Sequence, residues 1–124
     1  MAAGARVLVV DDDEVIRSFL AEALADEGYE VRAAGEGAHA LATLRAWPAE
    51  LIVLDLMMPV MDGWAFRAVQ RQDPALAHIP VVVLSATREV QLQARALDAA
   101  AVFAKPFDLD ELLTVIGELL GRRA

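Results

Sequence analysis

The residues of this chain that could do chemistry stand where apolar runs end. RVLVV at 6–10 runs into Asp11, Asp12 and Asp13, and LIVL at 51–54 ends in Asp55. IPVVVL at 79–84 ends in Ser85, and AAAVFA at 99–104 ends in Lys105. Taken singly, each has an ordinary explanation. Asp13 is placed to cap a helix, since its oxygen can accept from a first-turn N–H, and solvated carboxylates commonly close strands. Taken together they point one way, because open α/β sheets bind ligands at the carboxyl ends of their strands. Two or three carboxylates sharing such a pocket repel one another, so either one keeps its proton or a divalent cation neutralises them. Hard oxygen ligands, few in number and with room left for water, suit Mg2+ best. His39 has no second His or Cys at metal-binding spacing and reads as a surface or satisfied side chain rather than a ligand, and His78 has no evident partner.

The elements that must hold these groups follow from the apolar pattern. The runs at 6–10, 51–54 and 79–84 are rich in branched side chains without polar alternation, which suits strands buried on both faces of a parallel sheet. Tyr29–Ala34 reads as a further strand and Ala99–Ala104 as the last. Val15, Ile16, Phe19, Leu20, Ala23 and Leu24 share one face of a helix that Gly28 is placed to end. Ala38, Leu41 and Leu44 mark a second helix ending near Trp47-Pro48. Trp64, Phe66 and Val69 mark a third that follows the Asp62-Gly63 turn and stops before Asp73-Pro74. Arg88–Leu97 reads as a fourth helix with poor apolar spacing. The last is the best marked: Asp108 caps it, Glu111 takes the capping-box position, and Leu109, Leu112, Leu113, Ile116, Leu119 and Leu120 form its face. After Asp55, Leu56–Met58 lead to Pro59, which cannot continue a ladder, so the carboxylate sits on a short, stiff loop. Strands alternating with helices predict an α/β domain, a doubly wound five-stranded parallel sheet with helices on both faces.

Composition bounds the function. A chain of 124 residues with 57% hydrophobic content supports one domain, expected to span 1–124. Its net charge of -8 disfavours direct nucleic-acid binding, which needs a positive face to displace counterions. The absence of cysteine excludes disulfides and thiolate metal sites. No apolar run reaches membrane-spanning length, and acids come too early at the start for a signal peptide, so a cytoplasmic location with no membrane association is expected.

From VLVVDDD through LDLMMPVMDG and VVVLSA to KPF, nearly the whole chain resembles the response-regulator receiver domain of two-component signalling. That resemblance implies the flavodoxin-like (CheY-like) strand order 2-1-3-4-5, the order for which a receiver is itself a standard example. It implies that Asp55 is the phosphoacceptor for a phosphoryl group from a histidine kinase phosphohistidine. Asp12, with Asp11 assisting, would hold Mg2+ beside Asp55, and Met57 would add its backbone carbonyl. Ser85 resembles the hydroxyl that bonds the phosphoryl group and Lys105 the lysine that pairs with it. The chain would catalyse only its own Mg2+-dependent phosphorylation and dephosphorylation, with no turnover of an external substrate. Implied partners are a sensor histidine kinase or phosphotransfer protein and a downstream protein target. A phosphorylation-dependent homodimer is a further expectation. With no DNA-binding or enzymatic segment after Ala124, a stand-alone regulator or an excised domain is expected.

The chain departs from the receiver pattern in ways that bear on switching. The residue three before the lysine, commonly Tyr or Phe in receivers, is Val102, and strand alternation turns Phe103 to the opposite face. A short, stiff side chain cannot report by swinging inward, so the switch is expected in the segment Ser85-Ala86-Thr87 and the helix from Arg88. Asp98 stands where many receivers have Gly. Ala100 and Ala101 replace acids frequent in the subfamily that dimerises through the last strand and helix, so that particular dimer is not expected. Three rival functions can be weighed. A flavin binder would need a small or hydroxyl-rich phosphate loop where three aspartates stand. A haloacid-dehalogenase-type phosphatase would need a second acid at position 57, which is Met. A pseudo-receiver, a phosphorylation-independent binding module, would not require the key side chains that are all present here.

Overall fold

The computed structural model describes residues 4–58, 61–86, 92 and 97–121. Its elements are β1 (Arg6–Val10), α1 (Glu14–Asp26), β2 (Glu30–Ala34), α2 (Gly37–Ala46), β3 (Leu51–Asp55), α3 (Gly63–Gln72), β4 (Val81–Ser85), β5 (Ala101–Ala104) and a final helix, here α4 (Leu109–Gly121). All neighbouring strands pair in parallel, in the order β2-β1-β3-β4-β5. This is the expected doubly wound order, with small shifts of boundary: β4 starts two residues later than the apolar run and includes Ser85, and β5 begins at Ala101. The helix expected over Arg88–Leu97 lies outside the described residues except for Leu92 and Leu97.

Strand alternation divides the core into two layers. Leu8, Val10, Ile52, Leu54, Val81 and Val83 pack with Ala40, Leu41 and Leu44 of α2 and Phe66 of α3. Val7, Val9, Leu51, Val53, Val82 and Leu84 pack with Leu20 and Leu24 of α1 and Leu112, Ile116 and Leu120 of α4. Successive side chains point to opposite faces, so a strand covered by helices on both sides must be apolar along its covered length, as β3 and β4 are up to their last residues, Asp55 and Ser85. Val102 joins the first layer and Phe103 the second, as alternation requires.

Helix ends behave as their residues dictate. Asp13 accepts from the N–H groups of Val15 and Ile16. Gly28, at φ 94, ends α1: its N–H donates to the Ala25 carbonyl and that of Tyr29 to the Leu24 carbonyl, a Schellman arrangement. Asp62 caps α3 through the Ala65 N–H, and Asp108 accepts from Glu111 N–H at 3.1 Å. His39 and His78 are exposed.

One buried feature has no counterpart in the apolar pattern. Arg67 and Gln70, one turn apart on α3, lie in the interior. Arg67 donates to the carbonyls of Leu97 and Asp98 and to Gln70 Oε1, while Gln70 Nε2 donates to the carbonyls of Leu76 and Ile79. Burial, and after it the charge of Arg71, lowers the Arg67 pKa, against a smaller opposing effect of Asp98. Asp98 has φ 57, a left-handed conformation that explains why glycine is favoured there, and its carbonyl is held by the Arg67 guanidinium.

Candidate functional site at the carboxyl ends of the strands

The sheet order places β1 and β3 side by side, so Asp11, immediately after β1, and Asp55, the last residue of β3, meet at one edge of the core. Both are buried, at 1% and 3% exposure, whereas Asp12 is exposed. Asp11 is held on every side. Its N–H donates to the Ala34 carbonyl, its Oδ1 accepts from Asp13 N–H at 2.9 Å, and its carbonyl accepts from Arg17 Nη1 at 2.8 Å. Asp55 Oδ1 accepts from the Met57 N–H at 3.1 Å, which ties the carboxylate to the start of the loop that follows it.

That loop closes tightly. The Gly63 N–H donates to the Leu56 carbonyl, and a Cβ on Gly63 would lie 2.6 Å from Leu56 Cα and 2.9 Å from the Asp55 carbonyl oxygen. Gly63 is therefore needed for close approach of backbone to backbone, a stronger demand than the turn its sequence context implies.

Lys105, just past β5, reaches across to both buried acids. Its Nζ lies 3.1 Å from Asp11 Oδ2 and 3.4 Å from Asp55 Oδ2, and its side chain is 18% exposed. Its backbone N–H donates to the Ser85 carbonyl, which ties the ends of β4 and β5 together, and the Lys105–Pro106 peptide is cis. The repulsion anticipated between the acids is thus met from within the chain by an ammonium. It is not met fully. Burial, and after it the charge of Asp11, raises the Asp55 carboxyl to about 6, against the opposing Met57 N–H and the Lys105 ammonium. Burial alone would lower the Lys105 pKa, but the hydrogen bond to Asp11 and the two carboxylate charges outweigh it, and the net shift is upward.

A cation can also be accommodated. Asp11, Asp12 and Asp55 each offer an oxygen, and these lie within 4.8 Å of one another. A donor set of hard carboxylate oxygens, open to water on the Asp12 side, fits a small divalent cation such as Mg2+. The other residues singled out from sequence fall as follows. Ser85 is buried at the end of β4 in register with Ala104. Met57 lies two residues past Asp55 with its side chain 56% exposed. Val102 is half-buried on the α2–α3 side, and Thr87 lies outside the described residues. A cleft of about 390 Å³ between Phe103 and Asp108, Asp110, Glu111, Thr114 and Val115 includes none of the site acids.

Arg17 went unremarked in the sequence, yet it contacts the site through the Asp11 carbonyl. A signal existed: a cation near the N-terminus of a helix opposes the macrodipole and calls for a specific partner.

Comparison with known proteins agrees with this geometry. The family model of the response regulator receiver domain matches residues 7–117. Over 119 residues the chain is 35% identical to the DNA-binding dual master transcriptional regulator RpaA of Synechocystis sp., covering 94% of this chain and 49% of that protein. It is 38% identical over 119 residues to the DNA-binding transcriptional regulator NtrC of Rhizobium meliloti, covering 94% of this chain and 24% of that protein. The chain thus spans about half the length, or less, of these curated relatives. The receiver domain of the Francisella response regulator 1452 superposes with a TM-score of 0.88 at 29% identity, covering 98% of this chain and 100% of that one. The chemotaxis protein CheY4 of Vibrio cholerae superposes with a TM-score of 0.85 at 33% identity, covering 94% and 99%. With its strand order, its acidic strand ends and its family match over 7–117 in agreement, the chain belongs to the response regulator receiver domains of two-component signalling.

Proposed function

We propose that this receiver accepts a phosphoryl group on Asp55 from a phosphohistidine of a sensor histidine kinase or phosphotransfer protein, and that the acyl phosphate shifts the domain to its active form. The observation that carries the reading is the Lys105 ammonium within 3.4 Å of Asp55 and 3.1 Å of Asp11, which puts a nucleophile, a counter-charge and a cation-binding oxygen in one pocket. Near neutral pH a carboxyl titrating at about 6 is mostly ionised and can attack. An Asp55 oxygen forms a bond to phosphorus as the P–N bond breaks, and the imidazole leaves and takes a proton from solvent. The transition state is loose and spreads negative charge over three equatorial oxygens, so catalysis is positioning plus electrostatics.

Each residue then has a task. The Met57 N–H orients one Asp55 oxygen, leaving the other toward Lys105. Lys105 and the Ser85 hydroxyl each contribute a stabilising contact to the phosphoryl oxygens. Asp11, Asp12 and Asp55, with the Met57 carbonyl, would hold Mg2+, which when bound supplies positive charge to the transferring group. Hydrolysis follows when water attacks phosphorus and Asp55 departs as the carboxylate.

The relatives named as DNA-binding regulators share with this chain only a segment of their length, and its charge of -8 makes the receiver itself a poor partner for DNA. Its outputs are proposed to be proteins, and its location the cytoplasm, where kinases have ATP. Among the described residues no helix is long and apolar enough to cross a membrane. The pseudo-receiver reading is not favoured, since such a module has no need of the Lys105 bridge. The deciding experiment is incubation with a small phosphodonor and Mg2+, followed by intact mass and peptide mapping. A single acid-labile phosphate on the peptide carrying Asp55 is expected, and an Asp55→Asn protein that gains the same phosphate would overturn the assignment.

A further inference from the structure

We infer that Arg17, seated in the space left by Gly35, is a positioning residue that sets the geometry of the acidic pair by holding the peptide between Asp11 and Asp12. The role rests on the phosphoacceptor reading above and deepens it.

The three site acids are not held equally. Asp11 is tied through both carboxylate oxygens, and Asp55 through the Met57 N–H and Lys105. Among the described residues Asp12 has no side-chain hydrogen bond or ion pair of its own, yet one of its oxygens lies within 4.8 Å of ligand oxygens on Asp11 and Asp55. With no side-chain partner to draw it in, where the carboxylate can reach depends on where the backbone places its Cα–Cβ bond. The peptide that carries Asp12 begins at the Asp11 carbonyl, and that oxygen accepts from Arg17 Nη1 at 2.8 Å. Rotating this peptide would swing the Asp12 side chain away from the other two acids. The helix fixes the base of the Arg17 side chain, because Asp13 caps α1 and the Arg17 N–H donates to the Asp13 carbonyl.

Gly35, which follows β2, completes the device. A Cβ at Gly35 would lie 2.9 Å from Arg17 Nη1 and 3.5 Å from Cζ. The missing side chain leaves the slot in which the guanidinium reaches the Asp11 carbonyl. Arg17 also brings a permanent positive charge to within one carbonyl of a cluster of carboxylates.

The test uses Arg17→Met, Arg17→Lys and Gly35→Ala in the full chain. Three readings are taken: Mg2+ affinity by Trp64 fluorescence, the dependence of phosphodonor kinetics on Mg2+ concentration, and thermal stability in EDTA. Groups that orient metal ligands from outside the coordination sphere change affinity by about 10–100-fold, and a carbonyl-mediated case belongs at the low end, about 10-fold. Arg17→Met should raise the Mg2+ needed for half-maximal rate by about that factor while the rate at saturating Mg2+ stays close to wild type. Arg17→Lys should recover part of the loss. Gly35→Ala displaces only the end of a flexible side chain, so the protein folds; it should weaken Mg2+ binding in the wild-type background and have little further effect combined with Arg17→Met, the non-additivity of groups acting through one contact. A structural role alone would lower the thermal midpoint in EDTA and leave the Mg2+ half-saturation unmoved. Half-saturation within twofold of wild type in both Arg17→Met and Gly35→Ala overturns the role of Arg17 while leaving Asp55 phosphorylation standing. Wild-type protein that binds no Mg2+ and takes no phosphoryl group overturns the proposed function and this role together.

Discussion

Replacing Asp55 with asparagine should stabilise the metal-free protein at neutral pH and do little at acid pH. The folded carboxyl titrates at about 6 against 3.8 for the unperturbed group, so the folded state binds this proton more tightly than the unfolded chain does. A group raised in this way contributes its stability in full below its unfolded value of 3.8 and loses it as pH rises through about 6. At about 1.36 kcal/mol per pH unit the gap amounts to about 3 kcal/mol. The asparagine amide is neutral and avoids the cost of ionising in a buried site, its one oxygen can still accept from the Met57 N–H, and Lys105 keeps its bond to Asp11. Lys105 does not blur the window: its raised pKa gives stability that is complete below 10.5 and fades only as pH rises through its folded value. Urea denaturation of both proteins in EDTA, from about pH 4 to about pH 8, would measure the effect, and the difference between them cancels titrations common to both. The difference should be small at about pH 4 and grow to about 2–3 kcal/mol in favour of the substitution by about pH 7.5. A difference that does not change with pH, or a wild type that gains relative stability as pH rises, would refute the claim that burial and Asp11 hold the Asp55 proton.

Lys105→Met removes the cation 3.4 Å from Asp55; at an effective dielectric of about 20 the pair is worth at most about 5 kcal/mol. With the Lys105 side chain partly open to solvent, the Asp55 pKa should rise by about one to two units, visible as an alkaline shift in carboxyl NMR titration and in the pH profile of phosphorylation. Asp12→Ala should weaken Mg2+ binding strongly, by about tenfold or more, because a site with few protein ligands loses much of its charge with one carboxylate; unchanged Trp64 fluorescence titration would count against it. Arg67→Met should cost about 1–3 kcal/mol in urea denaturation, since it strands the buried Gln70 Oε1 and takes the guanidinium from the Leu97 and Asp98 carbonyls. It should also speed amide exchange at Ala99 and Ala100.

The parts of this molecule legible in the sequence are those whose cause is local. Strands β1, β3 and β4 announce themselves because burial on both faces forces an unbroken apolar run of four residues in each, and α4 because its cap and its face coincide. Asp11 and Asp55 are visible for the same reason, each being the first polar residue after such a run, and Asp12 follows Asp11 directly. The edge strand β5 is two residues shorter than the apolar run 99–104, since alanine carries little information about where pairing starts. Groups whose cause is long-range were invisible. Arg67 and Gln70 look like surface residues of α3, and only the approach of Leu97, Asp98, Leu76 and Ile79 in space makes them interior. Gly35 reads as a loop glycine until the Arg17 guanidinium is found beside it.

Charge explains why the site needs residues that no single motif contains. Two buried carboxylates cannot both ionise without compensation, and one lysine shared between them compensates incompletely, which leaves Asp55 at about 6. Such a carboxyl is ionised near neutral pH yet still energetically exposed, so any added positive charge in the pocket is favoured. That same residual imbalance destabilises the metal-free fold and favours a cation at Asp11, Asp12 and Asp55. Stability and cation affinity are therefore opposed at one residue: a substitution that relieves the first must weaken the second. Val102 fits the same economy of parts. It is half-buried and packs against the α2–α3 layer, so under the proposed function a new charge on Asp55 would be felt first by Lys105, which already faces it, and by the β4 end to which the Lys105 backbone is tied.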